Sequence, residues 1–214
     1  VRTNPVRAEE WALLVPCLAA LCDELRDTRA LRMLELGNKL NTKVGAPGGE
    51  VTVTYKEFFT SLGYDHTSVD INGQDGALPI DLRKCLRTEL VARGRNHTQF
   101  DVVTNIGTTE HVVDNQEAVW RNVWEAVRPG GWLLSITPKP GQWRWHGLWY
   151  PRREFYAAFA ELNSEPQTVR LGEYGEPPRT NLYMVCRKSP DATPLGFTYP
   201  GDELLYRNHI EERR

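Results

Sequence analysis

Phe100–Val112 reads F-D-V-V-T-N-I-G-T-T-E-H-V, and the class of fold is decided there. Phe100 to Ile106 is the clearest strand pattern in the chain, short, β-branched and stopped by Gly107. Asp114 and Glu117 stand three apart, the spacing of a capping box whose acidic side chains accept from free N–H groups of a first helical turn. The helix expected from that start runs to about Val127, with Val119, Val123, Ala126 and Val127 on one face. Arg128-Pro129-Gly130-Gly131 breaks it, and Trp132 to Thr137 reads as the next strand.

The same alternation extends outward. Ala30 to Leu36 is a short apolar run stopped by Gly37, and a glycine-spotted loop through Gly45, Gly48 and Gly49 follows. Tyr55, Phe58, Phe59 and Leu62 have helical spacing and end at Gly63. Thr67 to Ile71 reads as a second strand, Leu78 to Leu82 as a weaker third, and Arg83 to Ala92 as a helix. Beyond the opening stretch, Pro151 to Leu162 reads as a helix with proline in its first turn. Thr168–Leu171 and Leu182–Arg187 are two strands with no helix between them, so antiparallel pairing is expected. Together these elements imply an α/β fold with a mainly parallel seven-stranded sheet, an antiparallel last strand and helices on both faces. The expected organisation is an N-terminal helical extension over 1–29, the α/β domain over 30–188, and a Pro-rich, charged tail over 189–214.

The 214 residues and 24.5 kDa suit one domain with appendages, and 40% hydrophobic content suffices for a real core. Twenty-six Lys+Arg against 28 Asp+Glu leave a net charge of -2, which argues against a nucleic-acid platform. Arg83, Lys84, Arg87, Arg93 and Arg95 form only a modest cluster and read as a solvated helix surface. Cys17, Cys22, Cys85 and Cys186 include no C-x-x-C pair or zinc spacing, so reduced thiols in a cytoplasmic setting and no metal are expected. The apolar run Trp11–Cys22 holds Pro16 and falls short of the ~20 residues of a membrane span; an amphipathic helix over Glu9–Leu25 is expected instead.

In open parallel sheets ligands gather at the carboxyl ends of the strands. The sequence places Glu35, Gly37 and Asn38 after the first strand, and Asp70, Ile71 and Asn72 after the second. Asp81 and Leu82 end the third, and Asn105 to His111 end the fourth. A carboxylate ending the second strand can accept hydrogen bonds from both vicinal hydroxyls of a ribose.

Here the chain resembles the class I S-adenosylmethionine-dependent methyltransferases, over roughly Leu31 to Lys188. Phe100–Val112 and Val127–Leu134 (V-R-P-G-G-W-L-L) carry the resemblance, with Asp70 upstream. It implies a Rossmann-like sheet, S-adenosylmethionine as cofactor and S-adenosylhomocysteine as product. Glu35 and the backbone at Gly37 and Asn38 would hold the cofactor's amino acid end, and Asp70 its ribose. Ile71, Asn72, Asp81 and Leu82 would border the adenine, with Asn105, Ile106 and Gly107 beneath the reactive methyl. Two departures stand out: Lys39 and Asn41 occupy places where the family has further glycines, and Asn72–Ala77 replaces a helix. The rival nicotinamide-binding reading lacks its G-x-G-x-x-G fingerprint.

Methyl transfer to oxygen or nitrogen needs a proton acceptor, and His111, Glu110 and His146 are the candidates. Two of them also have a purely structural role: His111 can orient its loop, and Glu110 can bond backbone. Trp143, Trp145, Trp149 and Tyr150 follow the fifth strand, where they either wall the substrate or pack a small core of their own. The expected activity is methyl transfer to a small molecule. The alternative is a catalytically inactive methyltransferase-like domain acting as a binding or structural subunit, for which the missing glycines, the lost helix and the Pro-rich tail speak. The N-terminal helix and the tail offer surfaces for a homodimer or a protein partner; no membrane association is expected.

Overall fold

A computed structural model of the chain describes Leu13 and residues 29–38, 42–46, 49–61, 63–143 and 146–208. In order, these residues form β1 (Arg32–Leu36), the hairpin of β2 (Thr42–Ala46) and β3 (Gly49–Val53), and α1 (Tyr55–Ser61). Then come β4 (Asp65–Val69), α2 (Leu86–Ala92), β5 (Phe100–Ile106), α3 (Gln116–Glu125) and β6 (Val127–Pro138). The chain goes on through β7 (Trp149–Pro151), α4 (Arg153–Asn163), β8 (Arg170–Tyr174), β9 (Asn181–Arg187) and β10 (Leu205–Arg207).

The main sheet has six strands in the order β4-β1-β5-β6-β9-β8. The first four run parallel, and β9 is antiparallel to both β6 and β8. The expected third strand, Leu78–Leu82, is reduced to a single bridge between Leu78 and Val69, which leaves six strands in place of seven. The cause is register. Leu78 lies opposite the last residue of β4, so residues after it run past the end of their only neighbour. That neighbour has already turned away: the Asn72 and Gly73 amides donate to Asp70, to its side chain and its carbonyl respectively.

Strand periodicity of two sorts side chains onto two faces. Leu34, Leu36, Val103 and Leu133 join the larger core with Leu90, Trp120, Trp124, Phe155 and Phe159 from α2, α3 and α4. Met33, Val102, Leu134 and Ile136 join the smaller core with Tyr55 and Phe59 from α1. Aromatic rings fill the first layer edge to face, Trp124 meeting Phe159 at 5.4 Å between centroids.

Two local expectations are corrected. The glycine-spotted loop is the β2–β3 hairpin, because β-branched Thr42, Val44, Val51, Thr52 and Val53 favour strand despite the glycines. The cap of α3 is Asn115, not Asp114: the Asn115 side chain accepts from the Ala118 amide at 3.4 Å. Asn115 sits at φ 54°, a left-handed conformation that asparagine tolerates better than most residues, and Asp114 instead faces Arg83. The N-terminal helix Glu9–Leu25 lies outside the described residues except for Leu13, which is helical and packs on the smaller core. At the other end, Phe197, Tyr199 and Leu204 pack on the larger core and β10 pairs antiparallel with β7. Where the tail begins, Lys188 is fully buried, and its ammonium donates to the carbonyls of Trp124 and Pro194. No helix among the described residues is long and apolar enough to cross a membrane.

Candidate active site

The loop after β5 is built on one buried amide. Asn105 donates from Nδ2 to the hydroxyls of Thr109 and Ser135, each at 2.9 Å, and accepts from the Thr109 amide. Ser135 in turn meets the buried Tyr156 hydroxyl of α4 at 3.0 Å. This network turns the chain at Gly107, which adopts φ 70°, and winds Thr109–His111 into one 3-10 turn. Glu110 is thereby driven fully inside, while His111 stays half-exposed.

A second segment is laid over Glu110 from above. The Glu110 carbonyl accepts from the Leu148 amide at 2.6 Å, and Gly147 approaches the Glu110 side chain so closely that an added Cβ would meet its Cγ at 2.6 Å. Gly147 also needs φ 61°, so two independent constraints demand glycine there. The approach delivers His146. Its Nε2 lies 3.5 Å from Glu110 Oε1, and that of His111 lies 3.8 Å from the same oxygen. The two imidazoles meet edge to face at 4.6 Å. Neither carboxylate oxygen of Glu110 has a hydrogen-bond partner among the described residues. All three residues named as catalytic candidates thus converge on one point.

Asn208, which the sequence does not single out, holds this segment from the C-terminal side. Its Nδ2 donates to the carbonyls of His146 and Gly147 and to the Tyr150 hydroxyl, at 3.1–3.3 Å. Its amide donates to the Leu148 carbonyl at 2.7 Å. No sequence signal marks such a residue. It lies far along the chain from Glu110 and His146, and the pairing of β10 with β7 is what brings it beneath them.

The residues assigned to the cofactor divide in two. Asp70 is partly exposed just past β4; its Oδ1 accepts from the Asn72 amide, and no hydrogen bond reaches its Oδ2 among the described residues. Beside it Ile71 is 71% exposed. Gly37 adopts φ 84°, and a Cβ there would strike the Thr108 hydroxyl, so the loops after β1 and β5 touch. Asn38 donates to the Gln74 carbonyl and Asn72 accepts from the Gln74 amide, each at 2.8 Å.

The remaining members are otherwise engaged. Glu35 is buried, with its Oε2 3.5 Å from His66 Nε2. Leu82 packs in the larger core, and its carbonyl accepts from the Asn122 side chain. Asp81 is gripped by Arg83 through both carboxylate oxygens, and those hydrogen bonds hold its carboxyl down at about 2. Asn105 serves the loop network, Ile106 lies in the smaller core, and Gly107 donates to the Ile136 carbonyl.

The aromatic segment is likewise half structural. Tyr150 is fully buried and cannot wall a substrate; burial and the nearby Glu110 raise its hydroxyl well above the ordinary value. Trp143 donates to the Thr180 carbonyl and Trp149 to that of Val113. Trp143 also lies 5.3 Å from the His146 ring. Trp145 lies outside the described residues.

An open sheet of this order, with one antiparallel strand inserted next to its edge and polar residues after β4 and β5, is the arrangement of the class I S-adenosylmethionine-dependent methyltransferases, and the chain has that fold. The structure is similar to that of the DszA carbon methyltransferase, with a TM-score of 0.53 and 15% identity over 87% of this chain and 56% of that one. The CurJ carbon methyltransferase matches at 0.49 and 13% identity, over 86% of this chain and 56% of that one. The N-methyltransferase NodS from Bradyrhizobium japonicum WM9, in complex with S-adenosyl-l-homocysteine, matches at 0.44 and 13%, over 86% and 93%. The chain therefore spans little more than half the length of the two carbon methyltransferases. No family model matches it, and no curated protein sequence does.

Proposed function

We propose that the chain transfers the methyl group of S-adenosylmethionine to an oxygen or nitrogen of a small molecule. The observation that carries this reading is the convergence of Glu110, His111 and His146 on one point after β5, in a fold whose ligands sit at that edge. When bound, the cofactor supplies a methyl group already activated on a sulfonium. The chain's own task is to hold the acceptor in line, exclude water and manage the acceptor's proton. Asp70 would accept the ribose hydroxyls through its Oδ2, and Ile71 would cover one face of the adenine. The exposed apolar Ile71 next to an incompletely bonded carboxylate fits a nucleoside. Trp143 and Trp149 would border the acceptor.

A small acceptor is favoured over nucleic acid by the charge pairing of the basic cluster. Arg83 is bound to Asp81 and Asp114, and Arg93 to Glu89. A second reading, an inactive methyltransferase-like binding domain, is favoured by the tight contact of Gly37 with Thr108 and the fastening of Asn38 to Gln74, which narrow the space after β1.

Calorimetric titration of S-adenosylhomocysteine into the wild-type chain and Asp70→Ala separates the two. The active reading expects micromolar binding, weakened in the variant by about 1.5–3 kcal/mol for each charged hydrogen bond lost. No binding by folded protein would remove the active reading.

A further inference from the structure

We infer that Glu110, His111 and His146 form a binding site for a divalent cation of the zinc or late first-row type. Three donor atoms, one carboxylate oxygen and two imidazole nitrogens, lie within 4.8 Å of one another. The individual separations, 3.5 and 3.8 Å from Glu110 Oε1, exceed a hydrogen bond, yet both Nε2 atoms approach the same oxygen. Ligands bound at about 2.0–2.1 Å around one tetrahedral ion stand roughly 3.3–3.5 Å apart, so small side-chain rotations complete the geometry. Cysteine and histidine spacing along the chain gives no sign of such a site, because its donors come from two separate loops.

Burial supplies the second, independent argument. Glu110 is wholly enclosed, and neither of its carboxylate oxygens has a hydrogen-bond partner among the described residues. An ionised carboxylate in such a place is unfavourable unless a cation or donors meet it. A bound ion supplies the compensating charge, and the half-exposed imidazoles leave its outer positions open to solvent, as a site that takes up a further ligand requires. Two imidazoles with one carboxylate suit zinc, cobalt, nickel or ferrous iron; magnesium and calcium prefer oxygen alone.

The site is also held from behind. Asn105 fixes the turn that carries Glu110 and His111, and Asn208 fixes the segment that carries His146. Such support of the ligand-bearing backbone is what a metal centre needs for defined geometry. The inference rests on the methyltransferase reading only for the ion's use, which would be to hold an acceptor hydroxyl; the histidines then act as ligands, and proton acceptance by them is not required. Ion binding itself does not depend on that reading.

The test uses the full chain, stripped with chelator and titrated with Zn2+ by calorimetry and with Co2+ by visible absorption. One equivalent is expected to bind, with Co2+ bands distinct from those of the aqueous ion. Glu110→Gln and His146→Ala should each weaken binding by about 100-fold or more; His146 is partly exposed, so its variant provides a folded control if Glu110→Gln unfolds. Equal affinity in wild type and His146→Ala, or displacement of Zn2+ by equimolar Mg2+, would overturn the inference. S-adenosylhomocysteine titration of the same samples keeps the two proposals apart. Ion binding without cofactor binding removes the methyltransferase reading and leaves the metal site standing; cofactor binding without ion binding does the reverse.

Discussion

His66 shows how much a single side chain can carry without advertising itself. It sits on β4 with its ring enclosed, stacked 5.7 Å from Phe59 at an interplanar angle of 3°. Burial, reinforced by Lys56 and Arg95, lowers its pKa from 6.5 to about 4, so the native imidazole is neutral at pH 7. Between those two values the unfolded chain binds the proton and the native chain does not, so stability falls as pH drops from 6.5 towards 4. The full shift corresponds to a loss of about 3 kcal/mol. Urea denaturation at half-unit pH steps should show this decline, and His66→Phe should make it shallower. Nothing in D-H-T-S-V separates a buried histidine from an exposed one, because only the tertiary neighbours decide it. The opposite holds at Glu110, His111 and His146. Residue type and place after a strand are enough to name them, though not to show that two loops bring them together.

At the scale of elements, strands are the most readable. β5 coincides with its expected span because seven consecutive residues are buried, and such a run has no competing reading. Failures come where local signals compete. The third strand is readable from Leu78-Pro79-Ile80 but fails in register, a property of its neighbour's end and so invisible locally. At the start of α3 the spacing to Glu117 points to Asp114, and the left-handed backbone at Asn115 gives the cap to the next residue instead. That choice can be measured. Asn115→Ala should destabilise the chain by about 1 kcal/mol, both for the lost cap and for the strained φ. Asp114→Ala removes only an exposed contact with Arg83, 3.4 Å long, and should leave the denaturation midpoint unchanged. A larger loss in Asp114→Ala than in Asn115→Ala would return the cap to Asp114.

Across the whole molecule, the site depends on a segment that composition marks only as a Pro-rich tail. Residues 189–208 return over the larger core, add β10 beside β7 and end with Asn208 under the His146 segment. The chemistry-bearing loop after β5 and the end of the described chain are therefore one unit, although they lie far apart in sequence. Prolines explain why this is unreadable beforehand: they forbid regular structure without saying where the chain goes. Asn208→Ala tests the coupling. It removes three hydrogen bonds from Nδ2 but keeps the main-chain bond to Leu148, so β10 should stay paired. Loss of donors to a buried hydroxyl and two carbonyls predicts destabilisation of about 1–3 kcal/mol. Because His146 loses its backbone anchor, Zn2+ affinity should fall about 10–100-fold. Affinity for S-adenosylhomocysteine should not change, since Asp70 and Ile71 lie after β4 and share no hydrogen bond with Asn208 among the described residues. A variant that loses both affinities together would show instead that the tail stabilises the domain as a whole and does not act on the cluster.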